Sequence, residues 1–326
     1  MNQDPPTPEP PSLARLETEP GLPYAWAPPP PRPKFQHRYG RHIVLFVATF
    51  LTTTYAQSFL IFFLALGNGV FVPGVFGWQA FVGGLWYSIP LLTILAAHEF
   101  GHYFACRYYN VDATLPYFLP APIVLTGTFG AVIRIREAFP SKQALFDIAV
   151  AGPIAGFVVL LPFLVLGVWL SGTAPVTEGS LYFGEPLLFK ALERLRFGDL
   201  GTEMDSVLHP MGFAAWFGML ATALNLLPFG QLDGGHISYS LFGRRASYVS
   251  MATLLRAVAL TVVSASWITM TIMMLVMAFF LGFRHPRIVD EHVPLTGGRR
   301  VVALIALVIF IICFTPVPIE ILLPEG

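Results

Sequence analysis

A chain of 326 residues that is 55% hydrophobic and 12% charged carries about half the charge of an ordinary soluble domain, and several of its apolar runs reach the roughly 20 residues needed to cross a bilayer. Its net formal charge of zero gives no basic field to attract nucleic acid, and two cysteines, Cys106 and Cys313, make neither a disulfide framework nor a thiolate metal site. The sequence therefore reads as an all-α polytopic membrane protein, with both cysteines as packing residues.

Twelve of the first 33 residues are proline, including Pro28 to Pro31. This composition predicts a disordered, polyproline-like tail over residues 1–40, followed by an integral membrane domain over 41–320 with its core at 78–243. The tail lacks the apolar centre of a signal peptide, and the basic residues Arg32, Lys34, Arg38 and Arg41 come just before the first span.

The apolar runs predict spans near 43–66, 82–107, 145–170 and 211–229, an apolar block from Ala246 to Phe283, and a last run from Val301 to about Val317. As one helix the 38-residue block would be about 57 Å long, nearly twice the hydrocarbon core, so it reads as two helices turning near Ser264-Ala265-Ser266. The positive-inside rule agrees. Arg32 to Arg41 place the N-terminus in the cytoplasm, the uncharged 67–81 loop lies outside, and Arg107, Arg134, Arg136 and Lys142 lie inside. The mostly acidic 172–209 connection is outside, Arg244 and Arg245 are inside, and only a hairpin returns Arg284, Arg287, Arg299 and Arg300 to the inside. Of six or seven transmembrane helices, seven fit this distribution better. Trp267 then falls at the outer turn, and Arg256, near the middle of its helix, either lines a wet cavity or snorkels.

The second span contains "ILAAHEFGHY" from Ile94 to Tyr103. His98 and His102 are four residues apart, so on a helix they share a face and can grip one metal ion, while Glu99 lies about 100° round as a candidate general base. With eight His and twelve Glu in the chain, chance would give about 0.007 such motifs, and ionisable groups at membrane depth are functional candidates by default.

A catalytic zinc site usually has three protein ligands and an open position, so another span should supply the third. In "LNLLPFGQLDGGH", Leu224 to His236, an apolar helix reaches Asn225, Pro228 and Gly230 break it, and Asp233 is expected on irregular backbone. Such backbone at membrane depth must be buried in protein or line a watery cavity. His98 lies about 18 Å past Trp86 on a span running inward, and Asp233 lies at the inner end of another such span, so the two share a depth. His236 is a weaker candidate ligand that supports the loop or meets water.

With HExxH in one span and N-x-x-P-x-x-x-x-D-G in a later one, the sequence resembles the site-2 protease family of intramembrane zinc metalloproteases. The likeness runs from about Trp78 to Gly243 and also includes "GTFGAVIRIR" and "FDIAVAGPIAGF" in family order. The resemblance implies that His98, His102 and Asp233 hold Zn²⁺, that Glu99 is the general base, and that Asn225 contacts the substrate or polarises its carbonyl; a helix–helix hydrogen bond is the alternative for Asn225. Unlike many bacterial relatives, the chain has a 172–209 connection too short for a PDZ domain, so it looks closer to the compact members.

Pro116, Pro120 and Pro122 forbid a regular helix after the HExxH span. "IVLTGTFGAVIRIRE" reads as a short membrane-associated β-hairpin around Gly127, Thr128, Phe129 and Gly130. These four residues could bind an unwound substrate by strand addition, or the hairpin could satisfy itself against the core. "AGPIAG", Ala151 to Gly156, reads as close helix packing near the site.

Together these readings describe a protease that cuts transmembrane protein or peptide substrates in the lipid bilayer, placed in the bacterial plasma membrane. A membrane zinc transporter would line a route across several spans with ligands, whereas here they gather at one depth. A catalytically silent scaffold on the same fold would have little use for an intact HExxH plus Asp.

Overall fold

The computed structural model describes residues 33–67, 74–122, 125–175, 181–201, 204–281, 288–291 and 293–321; the proline-rich tail through residue 32 lies outside them. Its helices start where the apolar runs start, but local chemistry moves several boundaries. The first run is two helices, α1 (Tyr39–Thr54) and α2 (Ala56–Gly67), separated at Tyr55. Thr53 and Thr54 donate back to the carbonyls of Thr49 and Phe50 at 2.8 and 2.7 Å, a competition with the backbone ladder that bends and ends helices.

Among the described residues, two helices are long and apolar enough to cross a membrane: α3 (Trp78–Tyr108) and α4 (Lys142–Leu170). The latter begins three residues before its apolar run, because Ser141 Oγ accepts the Ala144 N–H at 3.2 Å and caps the first turn.

Between them lie β1 (Tyr117–Pro120), β2 (Thr128–Val132) and β3 (Phe139–Ser141). The expected hairpin is present but displaced. β1 and β2 pair antiparallel with Tyr117 opposite Val132 and Pro120 opposite Thr128, so Thr128 to Gly130 belong to a strand and the connection runs from 121 to 127. Gly127 sets this position. It has φ +72°, and a Cβ there would lie 2.5 Å from the Thr52 carbonyl oxygen, so the chain turns where it presses on α1. Thr128 Oγ1 then bonds the Leu119 carbonyl across the pair at 2.7 Å.

Beyond α4 come β4 (Gly172–Pro175), β5 (Leu181–Phe183), the amphipathic α5 (Leu187–Phe197) and β6 (Met204–Val207), with β4 and β6 paired antiparallel. Helix α6 (Pro210–Asn225) opens with proline at its first position, capped by the His209 ring. A loop over 226–232 leads into α7 (Asp233–Phe242), followed by α8 (Ala246–Leu260) and α9 (Ser266–Leu281). The apolar block thus breaks at 261–265, as its length and flanking charges predict. Trp267 stands at that turn but is 3% exposed, packed on Phe314 with its indole N–H bonded to the Pro316 carbonyl.

The chain closes with β7 (Ile288–Asp290), which pairs parallel with β3, then α10 (Gly297–Cys313) and β8 (Ile319–Ile321), antiparallel to β5. The largest core cluster joins α3, α4, α6 and α10 through Leu91, Ile94, Phe146, Leu160, Trp216 and Ile309. Cys313 belongs to this cluster and Cys106 to a second one around Tyr103 and Leu145; both thiols are fully buried and free.

Candidate metal centre

The HExxH residues lie on continuous α-helix, so the spacing of four brings His98 and His102 to one face with ring centroids 4.8 Å apart. Asp233 arrives from α7. It is the first residue of that helix rather than part of the loop, a correction to the sequence reading with a local cause. Leu232 has extended backbone and caps the helix, and Gly234 and Gly235 let the next turn lie against the loop: a Cβ on Gly234 would sit 2.1 Å from the Leu226 carbonyl oxygen. The loop's polar backbone is covered by α8, with Gly230 N–H donating to Ser250 Oγ at 3.3 Å and Thr253 Oγ1 donating to the Pro228 carbonyl at 3.4 Å. Non-helical backbone is thereby satisfied inside protein.

His98 Nε2 and His102 Nε2 are 3.1 Å apart, and Asp233 Oδ2 lies 3.2 Å from each. Tetrahedral ligands at zinc distances of about 2.0–2.2 Å stand about 3.3 Å from one another, so the triangle has the size such an ion requires. Among the described residues, these three form a group of donors able to hold a metal ion. Their chemistry, two imidazoles and a carboxylate with one coordination position left over, fits a catalytic rather than a closed structural site.

Backbone and glycine contacts hold the candidate ligands in place. His102 Nδ1 is 2.7 Å from the Ile148 carbonyl on α4, an orientation that leaves Nε2 facing His98 and Asp233. The "AGPIAG" segment packs on the ligands themselves: a Cβ on Gly152 would stand 2.1 Å from His102 Nε2, and one on Gly156 3.1 Å from His98 Cβ. Gly101 faces the Ala151 carbonyl in the same way. The small residues thus bring α3 and α4 close enough for α4 to touch both rings.

Glu99, 7% exposed, shares a cavity of about 240 Å³ with the three ligands and Asn225. Asn225, the last residue of α6, has its amide nitrogen 3.3 Å from His98 Nε2. His236 lines the same cavity three residues after Asp233 but stands outside the ligand group, and Arg256, exposed on α8, does not line it. Ala131, Val132, Ile133 and Ile135 form one wall.

Of the residues expected at the substrate, Thr128, Phe129 and Gly130 lie in β2 just before that wall, and Gly127 ends the connection that leads into it. Gly127 packs on α1, Thr128 is buried, and the Phe129 side chain is 68% exposed. Phe139 and Gln231 also line the cavity. Sequence reasoning missed both, although Gln231 stands two residues before Asp233 in a quoted motif.

The sequence also matches known proteins. The family model described as peptidase family M50 matches residues 86–273. A probable zinc metalloprotease of Arabidopsis thaliana, EGY1, chloroplastic, is 34% identical over 170 residues, 49% of this chain and 30% of that protein. A probable zinc metalloprotease of Oryza sativa subsp. indica, EGY2, chloroplastic, is 32% identical over 204 residues, 61% of this chain and 36% of that protein. The chain thus spans about a third of the length of these curated relatives. Among solved structures, the site-2 protease from Methanocaldococcus jannaschii aligns over 71% of this chain and 85% of its own at 15% identity, with a TM-score of 0.34. The matched segment runs from Trp86 to Met273, more than half of the sequence, and contains HExxH, the Gly152 and Gly156 contacts, Asn225 and Asp233, so the chain belongs to peptidase family M50.

Proposed function

We propose that this protein is an intramembrane zinc metalloprotease that hydrolyses peptide bonds within or near transmembrane segments of membrane-protein substrates. The observation that carries the reading is the convergence of His98, His102 and Asp233 into a triangle of metal-binding size with the buried Glu99 lining the same cavity. The relatives named as zinc metalloproteases support zinc as the ion.

When bound, zinc polarises the scissile carbonyl and acidifies water. His98, His102 and Asp233 are the proposed ligands, and the Ile148 carbonyl fixes the His102 ring. Glu99 takes the proton of the attacking water and delivers it to the leaving amine. Asn225 donates its amide to the carbonyl oxygen as negative charge develops there, a role supported by the 3.3 Å between its amide nitrogen and His98 Nε2.

A helical substrate hides its carbonyls, so the segment from Gly127 to Ile133 is proposed to receive it as an extended strand. Among the described residues β2 pairs with β1 alone, and its continuation, Ala131 to Ile133, reaches the cavity wall. Six to seven spans within 41–320, a tail over 1–40 and a cytoplasmic N-terminus complete the reading; the separate helices α8 and α9 support seven spans, and the arginine distribution supports the orientation. The bacterial plasma membrane is the proposed location.

Cleavage of a panel of transmembrane substrates by purified protein in detergent tests the reading. Wild type is expected to cut within the membrane segment, while Glu99→Gln keeps its zinc and loses about 10²- to 10⁴-fold in rate. A Glu99→Gln protein that cuts at the wild-type rate, or a wild type that retains no metal, would overturn it.

A further inference from the structure

Arg299 lies outside the family-matched segment, in the first turn of α10, yet its side chain reaches the two helices that carry His102 and its hydrogen-bond acceptor. Its Nε and Nη2 donate to Asp147 Oδ1 and Oδ2 at 2.9 and 2.7 Å, a bidentate pair. Nη2 also donates to the Tyr109 hydroxyl at 3.2 Å, and that hydroxyl in turn donates to Asp147 Oδ2. Tyr109 caps the end of α3, seven residues or about two turns beyond His102. Asp147 is the neighbour of Ile148, whose carbonyl accepts from His102 Nδ1.

We propose that Arg299 is a positioning residue for the metal ligand His102, acting through Asp147 and the backbone of α4. The proposal rests on the metal-centre reading above. Arg299 clamps α4 to the end of α3 one residue from the carbonyl that orients the ring. Without it the Asp147 carboxylate keeps only the Tyr109 hydroxyl among these partners, and the Ile148 carbonyl is free to shift against His102. The ring has little room to follow, because Gly152 already lies against it. Two further contacts dock the same C-terminal segment on the start of α4: Gln143 Nε2 donates to the Pro294 carbonyl at 3.0 Å, and β7 pairs with β3 just before the Ser141 cap. Loss of the acceptor directly behind a ligating histidine typically changes metal affinity 10- to 100-fold, so a shift of the Ile148 carbonyl is felt at the lower end of that range.

The test is the visible spectrum and the affinity of the cobalt-substituted full chain in detergent, for wild type, Arg299→Ala, Arg299→Lys, Asp147→Asn and, as a control, the adjacent exposed Arg300→Ala. Arg299→Ala and Asp147→Asn are expected to alter the ligand-field bands and weaken cobalt binding about tenfold. Arg299→Lys should recover part of both, and Arg300→Ala should match wild type. A purely structural role would lower the melting temperature and leave the bands and the affinity of the folded fraction unchanged, and that result would overturn the proposal. Arg299→Lys and Asp147→Asn keep nearly the native volume and carry the test if the alanine variant does not fold. A wild type that takes up no cobalt would overturn the metal reading, and the positioning role with it.

Discussion

Helices α3 and α4 and helices α8 and α9 are similarly apolar, but they meet their surroundings differently. Where α3 crosses α4, Gly101, Gly152 and Gly156 bring one backbone against the other and against both histidine rings. On α8 and α9, large side chains face outward, with Tyr248 77% and Phe279 84% exposed, while inward Leu254, Ala257, Trp267 and Met274 pack with Phe229, and Ser250 and Thr253 support the 226–232 loop. Apolar composition is therefore common to both pairs, whereas small residues mark where two backbones must approach closely beside the candidate ligands. Without the hydrophobic effect between helices in lipid, such packing and hydrogen bonds are what hold a site in register.

Gly152→Ala is the sharpest way to break the tight crossing. The added methyl would fall 2.1 Å from His102 Nε2, inside any contact distance, so the ring must turn away from His98 and Asp233. Zinc content after purification is expected to drop to a small fraction of wild type, with cleavage falling in parallel. A Gly152→Ala protein with full zinc and full activity would show that α4 does not constrain the ligand. The comparison predicts that alanine at Leu255, an outward position on α8, leaves both quantities unchanged.

A smaller effect separates the regions by stability. Trp216 is 1% exposed in the α3–α4–α6–α10 core and its indole N–H donates to the Gly184 carbonyl at 2.7 Å, whereas Leu255 is 62% exposed. Truncating the tryptophan to alanine should cost about 3–5 kcal/mol. Leu255→Ala should stay within about 0.5 kcal/mol. Thermal unfolding of both variants in one detergent compares them, and equal losses would remove the distinction between an inner crossing and an outer pair.

The parts of this arrangement that were legible in the sequence follow from periodicity and length. A spacing of four on an apolar helix places two imidazoles on one face, and 38 apolar residues exceed one crossing, so the ligand pair and the break at 261–265 could both be read directly. Asp233 was legible through its motif, though not its position at the start of a helix, which depends on two glycines folding under the preceding loop. The strand pair was placed too far along the chain, with its turn at 127–130, because Gly127 turns against Thr52, 75 residues earlier. The Ile148 carbonyl has no sequence signature, since every residue offers one. The Arg299–Asp147 pair joins positions 152 apart, and charge alone does not tell one arginine from another.

The smallest expected effect lies outside the helices, where the chain just before α1 meets the loop after α3. Lys34 pairs with Glu137 at 2.8 Å and donates to the Asn110 carbonyl at 2.7 Å, while Phe35 N–H donates to Asp112 Oδ1 at 2.6 Å. Hydrogen bonding to Lys34, with help from the Asp112 backbone N–H at 3.1 Å, holds the Glu137 carboxyl below the ordinary carboxylate range. A group whose folded value is depressed contributes stability above its unfolded value of about 4.3 and loses it as pH falls through the folded one. The pair is more than a third exposed on the Glu137 side, so its contribution near neutral pH is about 0.5 kcal/mol at low salt. Melting temperatures of wild type and Lys34→Met should therefore differ slightly at pH 7, converge as pH drops below about 4, and also converge in high salt. A difference that persisted in acid would assign the role of Lys34 to its bond with the Asn110 carbonyl rather than to Glu137, and would make the contact between the N-terminal segment and this loop independent of pH.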